Sequence, residues 1–324
     1  MLGRSLPSIF FGKNMTDTIP SSNIELTSFQ SDTLQRFIFD SVPVRGEWVH
    51  MTESWKQILI LREYPAAIQK ILGEMLAAAA LLTATVKIKG RLVLQIKSTG
   101  PVTLMMAECT SENTVRCFAQ WDGEINDDAS FAETMGEGAL AISIDVEGAK
   151  QPYQGVVSLH GESLSDVLET YFKQSEQLET RIWLSADANA VSGLFLQQLP
   201  SLEAEKDEDQ EHWMRLTILA ATVTPTELLS LGAGSLLHRL FHEELCRLLS
   251  ATELSFACSC SRDRVADTIS LLGEHDANSL LEEQGSIEVA CEFCNEHYHF
   301  DKVDVATIFS TSSGLHSDPS NVIH

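Results

Sequence analysis

Phe256–Asp301 reads FACSCSRDRVADTISLLGEHDANSLLEEQGSIEVACEFCNEHYHFD and holds four of the chain's seven cysteines, as Cys258-Ser259-Cys260 and Cys291-Glu292-Phe293-Cys294. Two tight pairs with thirty residues between them admit three chemistries: a disulfide framework, a closed zinc site, or thiols kept for reaction. Four thiolates complete a tetrahedral shell for zinc and leave no position for a substrate water. Each pair sits on a short turn able to bring two sulfurs to one metal, and Asn295 tolerates the left-handed backbone that such turns often need. Between the pairs, Ile269, Leu271, Leu272, Leu280 and Leu281 offer only a small helical face, so metal binding is expected to supply the folding energy of this segment. The expectation is a small C-terminal zinc domain with Cys258, Cys260, Cys291 and Cys294 as ligands of one Zn2+. A Cys3His set using His297 or His299 is the alternative.

A closed zinc site is ordinarily inert structure, and the C-x-C pair departs from that pattern. Sulfurs two residues apart can join with little chain movement, and Arg262 and Arg264 nearby favour thiolate over thiol. Oxidation would turn ligands into disulfides, eject the metal and remove the energy that holds the segment folded. Spacing alone leaves three disulfide pairings open.

Outward from this segment, the chain looks like an ordinary globular protein. Its 324 residues allow two domains, and 44% hydrophobic content with a mean hydropathy of −0.01 fits that class. The most apolar run, Met75–Val86, is too short to span a membrane, and Lys70 and Glu74 interrupt its approach. The first residues, MLGRSLPSIFFGKN, lack the features of a secretory signal, and Met15 offers a second start. A cytoplasmic location is expected, where reducing conditions make a permanent disulfide framework improbable. The net charge of −24 argues against nucleic acid and acidic membranes as partners. From Ser201 onward there are 22 acidic and 7 basic side chains, so −15 of that charge falls in the last 124 residues.

The predicted fold class is α+β: an N-terminal mixed sheet-and-helix domain, a helical linker and the small zinc domain. Residues 1–31 are polar and expected to be a flexible extension. The domain over 32–200 is expected to begin with a helix at Asp32–Ser41, then a strand from Arg45 and helices over Glu53–Arg62 and Ala66–Thr83. Strands are predicted at Arg91–Lys97, Val102–Glu108, Thr114–Ala119, Leu140–Val146, Gly155–Leu159, Arg181–Ser185 and Leu194–Leu199, with a Ser163-capped helix before the last two. Glu203–Glu211 is a charge run that marks a boundary. The linker, 201–257, reads as helices at His212–Thr222, Thr226–Leu231 and Ser235–Leu249, with no strand. Its Trp213, Leu216, Ile218, Leu219, Leu228, Leu229, Leu236, Leu237 and Leu240 are expected to need docking against a folded neighbour. The zinc domain covers 258–304, and 305–324 reads as a flexible tail.

Several stretches, taken together, resemble one family. They are Val44-Arg45-Gly46-Glu47, Leu81-Leu82-Thr83-Ala84-Thr85, Tyr153-Gln154-Gly155, the run Tyr171-Phe172 to Ser175-Glu176-Gln177, and the C-x-C…C-x-x-C arrangement with its following Tyr298. From about Leu34 to Asp304 the chain is similar to the heat shock protein 33 family of redox-regulated bacterial chaperones. The resemblance implies an ATP-independent, non-enzymatic holdase, inactive when reduced and zinc-bound. It implies that oxidants convert Cys258–Cys260 and Cys291–Cys294 to two disulfides and release zinc. The opened protein would then form a homodimer and hold unfolded client proteins during oxidative stress. The chain departs from the family pattern at Glu179, where proline is usual, and at Asn295, where glycine is common. Neither position is a ligand.

Other features carry less. Cys109, Cys117 and Cys246 lie in apolar strand or helix patterns and read as buried inert thiols. His242-Glu243-Glu244 lacks the second histidine of a zinc-protease helix, and Gly232-Ala233-Gly234-Ser235 lacks the lysine of a phosphate loop. Tyr171, Phe172 and Ser175-Glu176-Gln177 read as helix termination and packing, with client contact as the other role. Two rival functions remain from the residues alone: a thiol–disulfide oxidoreductase using C-x-x-C, and a constitutive zinc-stabilised interaction module.

Overall fold

The computed structural model describes residues 32–200 and 206–313. The extension expected over 1–31 and the tail from 314 lie outside those residues. Two compact units divide after Ala257.

In chain order the first unit comprises β1 (Thr33–Phe39), β2 (Val44–Met51), α1 (Glu53–Leu61), α2 (Ala66–Thr85), β3 (Gly90–Ser98), β4 (Val102–Thr110), β5 (Thr114–Trp121), α3 (Phe131–Met135), β6 (Gly138–Val146), β7 (Tyr153–Ser158) and α4 (Leu164–Tyr171). It continues through β8 (Thr180–Ala186), β9 (Val191–Gln198), α5 (Lys206–Ala220), α6 (Pro225–Ser230), α7 (Ala233–Phe241), β10 (Cys246–Glu253) and β11 (Ser255–Phe256). Five strands pair in the order β10-β1-β2-β9-β8, and six in the order β11-β5-β4-β3-β6-β7. The α+β class is as expected.

Both sheets pack on α2. AAIQKILGEMLAAAALLTAT is apolar nearly all round, and such a helix is either a core helix or a membrane span. It is long and apolar enough to cross a membrane, yet 78% of its apolar window is buried within the protein. The run from Met75, too short by itself, is the second half of this helix, whose first half from Ala66 carries Lys70 and Glu74. Leu72, Met75, Leu76 and Leu81 share one core with Val49 and Phe195 of the five-stranded sheet and with Leu94, Met105 and Ile142 of the other.

The opposite face of the five-stranded sheet is covered by α5, α6 and α7. Trp213, Leu216, Leu228, Leu236, Leu237, Leu240 and Phe241 close a second core over Phe37, Phe39, Trp48, Leu194 and Leu196. Thr224 starts α6 with a reciprocal capping box to Glu227. Ile218, expected among the docked residues, points outward and is 62% exposed.

Three expectations are corrected here. Where a helix was expected over Asp32–Ser41, the structure has strand β1, Thr33–Phe39. Burial alternates over Gln35–Phe39, with Leu34 in the core on the other face, but Leu34, Phe37 and Ile38 fall at helical spacing and hide the strand in the sequence. The linker is not wholly helical: α7 stops at Phe241, and Cys246–Glu253 pairs antiparallel with β1, Phe39 opposite Cys246 and Thr33 opposite Glu253. The charge run is not only a boundary, since α5 starts inside it at Lys206.

The second unit holds α8 (Arg262–Leu272), α9 (Glu274–Gln284), β12 (Ile287–Ala290), β13 (His297–Phe300) and α10 (Lys302–Ser313). Its core is small: Ile269, Ala277, Leu281, Ile287, Phe300 and Val305. Leu271, expected on the inward helical face, is 88% exposed. The tail expected from residue 305 is helical as far as Ser313, and Val305 is buried.

Candidate metal centre

Cys258 and Cys260 lie on the strap that enters α8, and Cys291 and Cys294 on the turn between β12 and β13. Ser261 caps α8 by accepting from the Arg264 amide, which fixes the exit of the strap. The turn is closed by two backbone bonds, Cys291 N–H to Glu296 O at 2.9 Å and Asn295 N–H to Cys291 O at 2.8 Å. Asn295 takes φ of 55°, the left-handed conformation that the sequence anticipated there.

The four sulfurs lie within 4.8 Å of one another. Cys258 Sγ is 3.7 Å from Cys291 Sγ, and Cys260 Sγ is 3.3 Å from Cys294 Sγ. A tetrahedral thiolate shell with metal–sulfur bonds of about 2.3 Å needs sulfurs about 3.8 Å apart, so the donor set fits a closed four-sulfur site. Among the described residues the cluster contains no histidine. His299 pairs with Glu288 at 3.2 Å and is largely exposed, as is His297, which disfavours the Cys3His alternative. Burial raises the Cys291 thiol, although the amides of Cys294 and Phe293 donate to its sulfur and oppose the rise. Burial raises Cys294 as well, against the Glu296 amide. Metal binding here must therefore displace protons, and its strength rises with pH.

The two arginines do not act as expected. Arg262 donates to His299 O at 2.8 Å, pairs with Asp304 at 2.8 Å and lies 4.3 Å over the Phe300 ring. Arg264 donates to Ser259 O at 2.8 Å and to Ser259 Oγ at 2.7 Å. One ties α8 to β13 and α10; the other holds the backbone between the first two cysteines. Tyr298, noted in the sequence only as part of the arrangement that carries the resemblance, is a further group at the site: its Oη donates to Cys260 Sγ at 3.2 Å. A tyrosine four residues after the last cysteine does not by itself reveal that contact.

Cys109 and Cys117 are buried, as expected; burial pushes Cys109 to about 12 and Cys117 higher still. Cys246 is on β10, not on a helix, and burial raises it to about 12. Tyr171 and Phe172 are each 2% exposed, so their role is packing. A Cβ on Gly155 would meet the Tyr171 ring at 2.5 Å, which joins the Tyr-Gln-Gly stretch to α4 by close approach. A π-helical turn follows α4 and ends on Gln177 at φ of 55°.

Comparison with known proteins places these features in a group. A family model described as Hsp33 protein matches residues 32–301. The 33 kDa chaperonin of Nitrosococcus oceani is 48% identical over 279 residues, covering 86% of this chain and 94% of that protein. That of Pseudomonas aeruginosa is 46% identical, covering 91% of this chain and 99% of its own. The crystal structure of the 33 kDa chaperonin, a heat shock protein 33 homolog, from Thermotoga maritima superposes with a TM-score of 0.76 at 23% identity, over 88% of this chain and 100% of that one.

Proposed function

Since the chain belongs to the Hsp33 family, we propose that it is a molecular chaperone, specifically an ATP-independent holdase switched on by oxidation of its four-cysteine cluster. The observation that carries this reading is the four-sulfur cluster in a unit with too small a core to stand without it. In the reduced state Cys258, Cys260, Cys291 and Cys294 hold one Zn2+, which supplies the folding energy of the unit. An oxidant converts the thiols to two disulfides, and the zinc-binding capacity is lost with them.

The pairing that the family resemblance implies, Cys258–Cys260 and Cys291–Cys294, has a physical merit. The approaches of 3.7 Å from Cys258 to Cys291 and 3.3 Å from Cys260 to Cys294 run between the strap and the turn, and disulfides there would staple the two together. Disulfides within each pair leave strap and turn free to separate, so only that pairing turns oxidation into unfolding. The domain plan remains the proposed one: 32–200 as the stable body, 201–257 as the linker that opens, and 258–304 as the switch. The opened chain dimerises and binds unfolded proteins, in the cytoplasm, with no nucleic acid or membrane partner and no catalysis.

A light-scattering assay with a denatured client tests the reading. Peroxide-treated protein is expected to suppress aggregation without nucleotide, and reduced zinc-loaded protein to leave it unchanged. Equal suppression by both forms would instead identify a constitutive interaction module.

A further inference from the structure

We propose that the Tyr298 hydroxyl is a positioning group for the thiol cluster: by donating to Cys260 Sγ it secures that sulfur as a ligand and slows its oxidation. The inference rests on the zinc-switch reading above. The hydrogen bond, 3.2 Å from Tyr298 Oη to Cys260 Sγ, joins two separately anchored elements. Tyr298 sits on β13 opposite Val289 of β12, with its ring against the small core of the unit. Cys260 cannot swing away from it easily, because Arg264 grips Ser259 at both the carbonyl and the hydroxyl. Cys291 and Cys294 accept from backbone amides, which the fold supplies whatever the side chains are. The bond to Cys260 depends on one phenol.

A donor to a thiolate draws charge off the sulfur. That stabilises the anion as a metal ligand, and partners of this kind typically contribute 10–100-fold in metal affinity. The same withdrawal makes the sulfur a poorer nucleophile. In the oxidation itself, Cys260 Sγ attacks one oxygen of hydrogen peroxide, the O–O bond breaks, and the departing hydroxide takes a proton to become water. A second thiolate then attacks the sulfenic sulfur, the S–O bond breaks, and the second oxygen also leaves as water. Two thiolates lose two electrons, and peroxide gains them. The phenol acts on the first step, where the sulfur lone pair forms the new bond.

The test uses full-length protein, reduced and zinc-loaded, with Tyr298→Phe, which keeps the ring. Against a chelator, zinc affinity is expected to fall about 10-fold. Zinc release under peroxide should quicken about fivefold, the rate equivalent of one ordinary hydrogen bond. In cobalt-substituted protein the thiolate-to-cobalt charge-transfer bands should move to lower energy while the ligand-field bands stay those of a four-sulfur site. A packing role alone would not move the charge-transfer bands. Arg264→Gln, which frees the strap without touching the ring, should shift release in the same direction. Unchanged release and unchanged charge-transfer bands in Tyr298→Phe would overturn this inference and leave the switch standing. Wild-type protein that binds no zinc would overturn both.

Discussion

Glu47 shows what a short family stretch is for. It is 3% exposed on β2, and its Oε2 has no hydrogen-bond partner. Burial raises its carboxyl to about 7, with Arg45 and Arg36 opposing the rise. Next to it, a Cβ on Gly46 would lie 2.1 Å from the Phe37 ring, so the Val-Arg-Gly-Glu run is a packing constraint with a charge set into it. Glu74 of α2, raised to about 7 by burial and opposed only by Lys70, is a second such group. Each carboxyl is easier to protonate in the folded state, so the folded state holds extra protons between pH 4.5 and 7. Stability must then fall as pH rises through that window. A shift from 4.5 to about 7 corresponds to about 3 kcal/mol for one group above the window. Glu47→Gln is therefore expected to flatten the pH dependence and to stabilise the reduced protein at pH 8 more than at pH 5, by about 1–3 kcal/mol in urea unfolding. An equal effect at both pH values would contradict the assigned ionisation. None of this was legible in the sequence, where Glu47 is one acid among 46.

At the scale of elements, local patterns and distant pairings divide what could be read. Strands β3 to β7 of the six-stranded sheet, the Ser163 cap of α4 and the cysteine turn were legible because each is set by residues near in sequence; β11, which pairs with distant β5, was not. β1 and β10 were not. Leu34, Phe37 and Ile38 fall at helical spacing although β1 pairs with neighbouring β2, and Leu240, Phe241, Leu245, Leu248 and Leu249 carry the period of α7 onward; β10 is a strand through its pairing with β1, some two hundred residues away. This changes the expected course of opening. The linker docks with buried polar atoms left without partners, Asp209 Oδ2 and His212 Nδ1 on α5 and Trp48 Nε1 beneath it, and each such atom costs about 1–3 kcal/mol. Its ion pairs include Arg215 with Glu244 and Arg247 with Asp40, whose half-exposed arginines let water and salt screen part of what they contribute. If oxidation frees the linker, β10 must leave with it. Hydrogen exchange should then accelerate in α5–α7 and β10 and at the β1 amides that face β10, while β9 and β3 keep their slow amides. Protection retained in β10 would place the opening elsewhere.

Over the whole molecule, the separation of charge and of core size supports one account. The first unit carries two cores built around α2 and the covered sheet; among its described residues the second has six buried apolar side chains and four thiols in place of a larger core. With −15 of the −24 charge from Ser201 onward, like-charge repulsion opposes the compact state of that part of the chain. The four cysteines paired in the sequence are the four that the structure brings together, because their spacing is a local property, whereas the hydrogen-bonded surroundings needed the fold. The most direct test is one peroxide titration of reduced, zinc-loaded protein, with released zinc, remaining thiols and suppression of client aggregation followed on the same sample and Cys291→Ser alongside. The account predicts that one zinc per chain leaves as four thiols are consumed, that suppression rises in step, and that Cys291→Ser starts with weakened zinc binding. Full suppression while zinc is still bound, or complete zinc loss with no suppression, would contradict it.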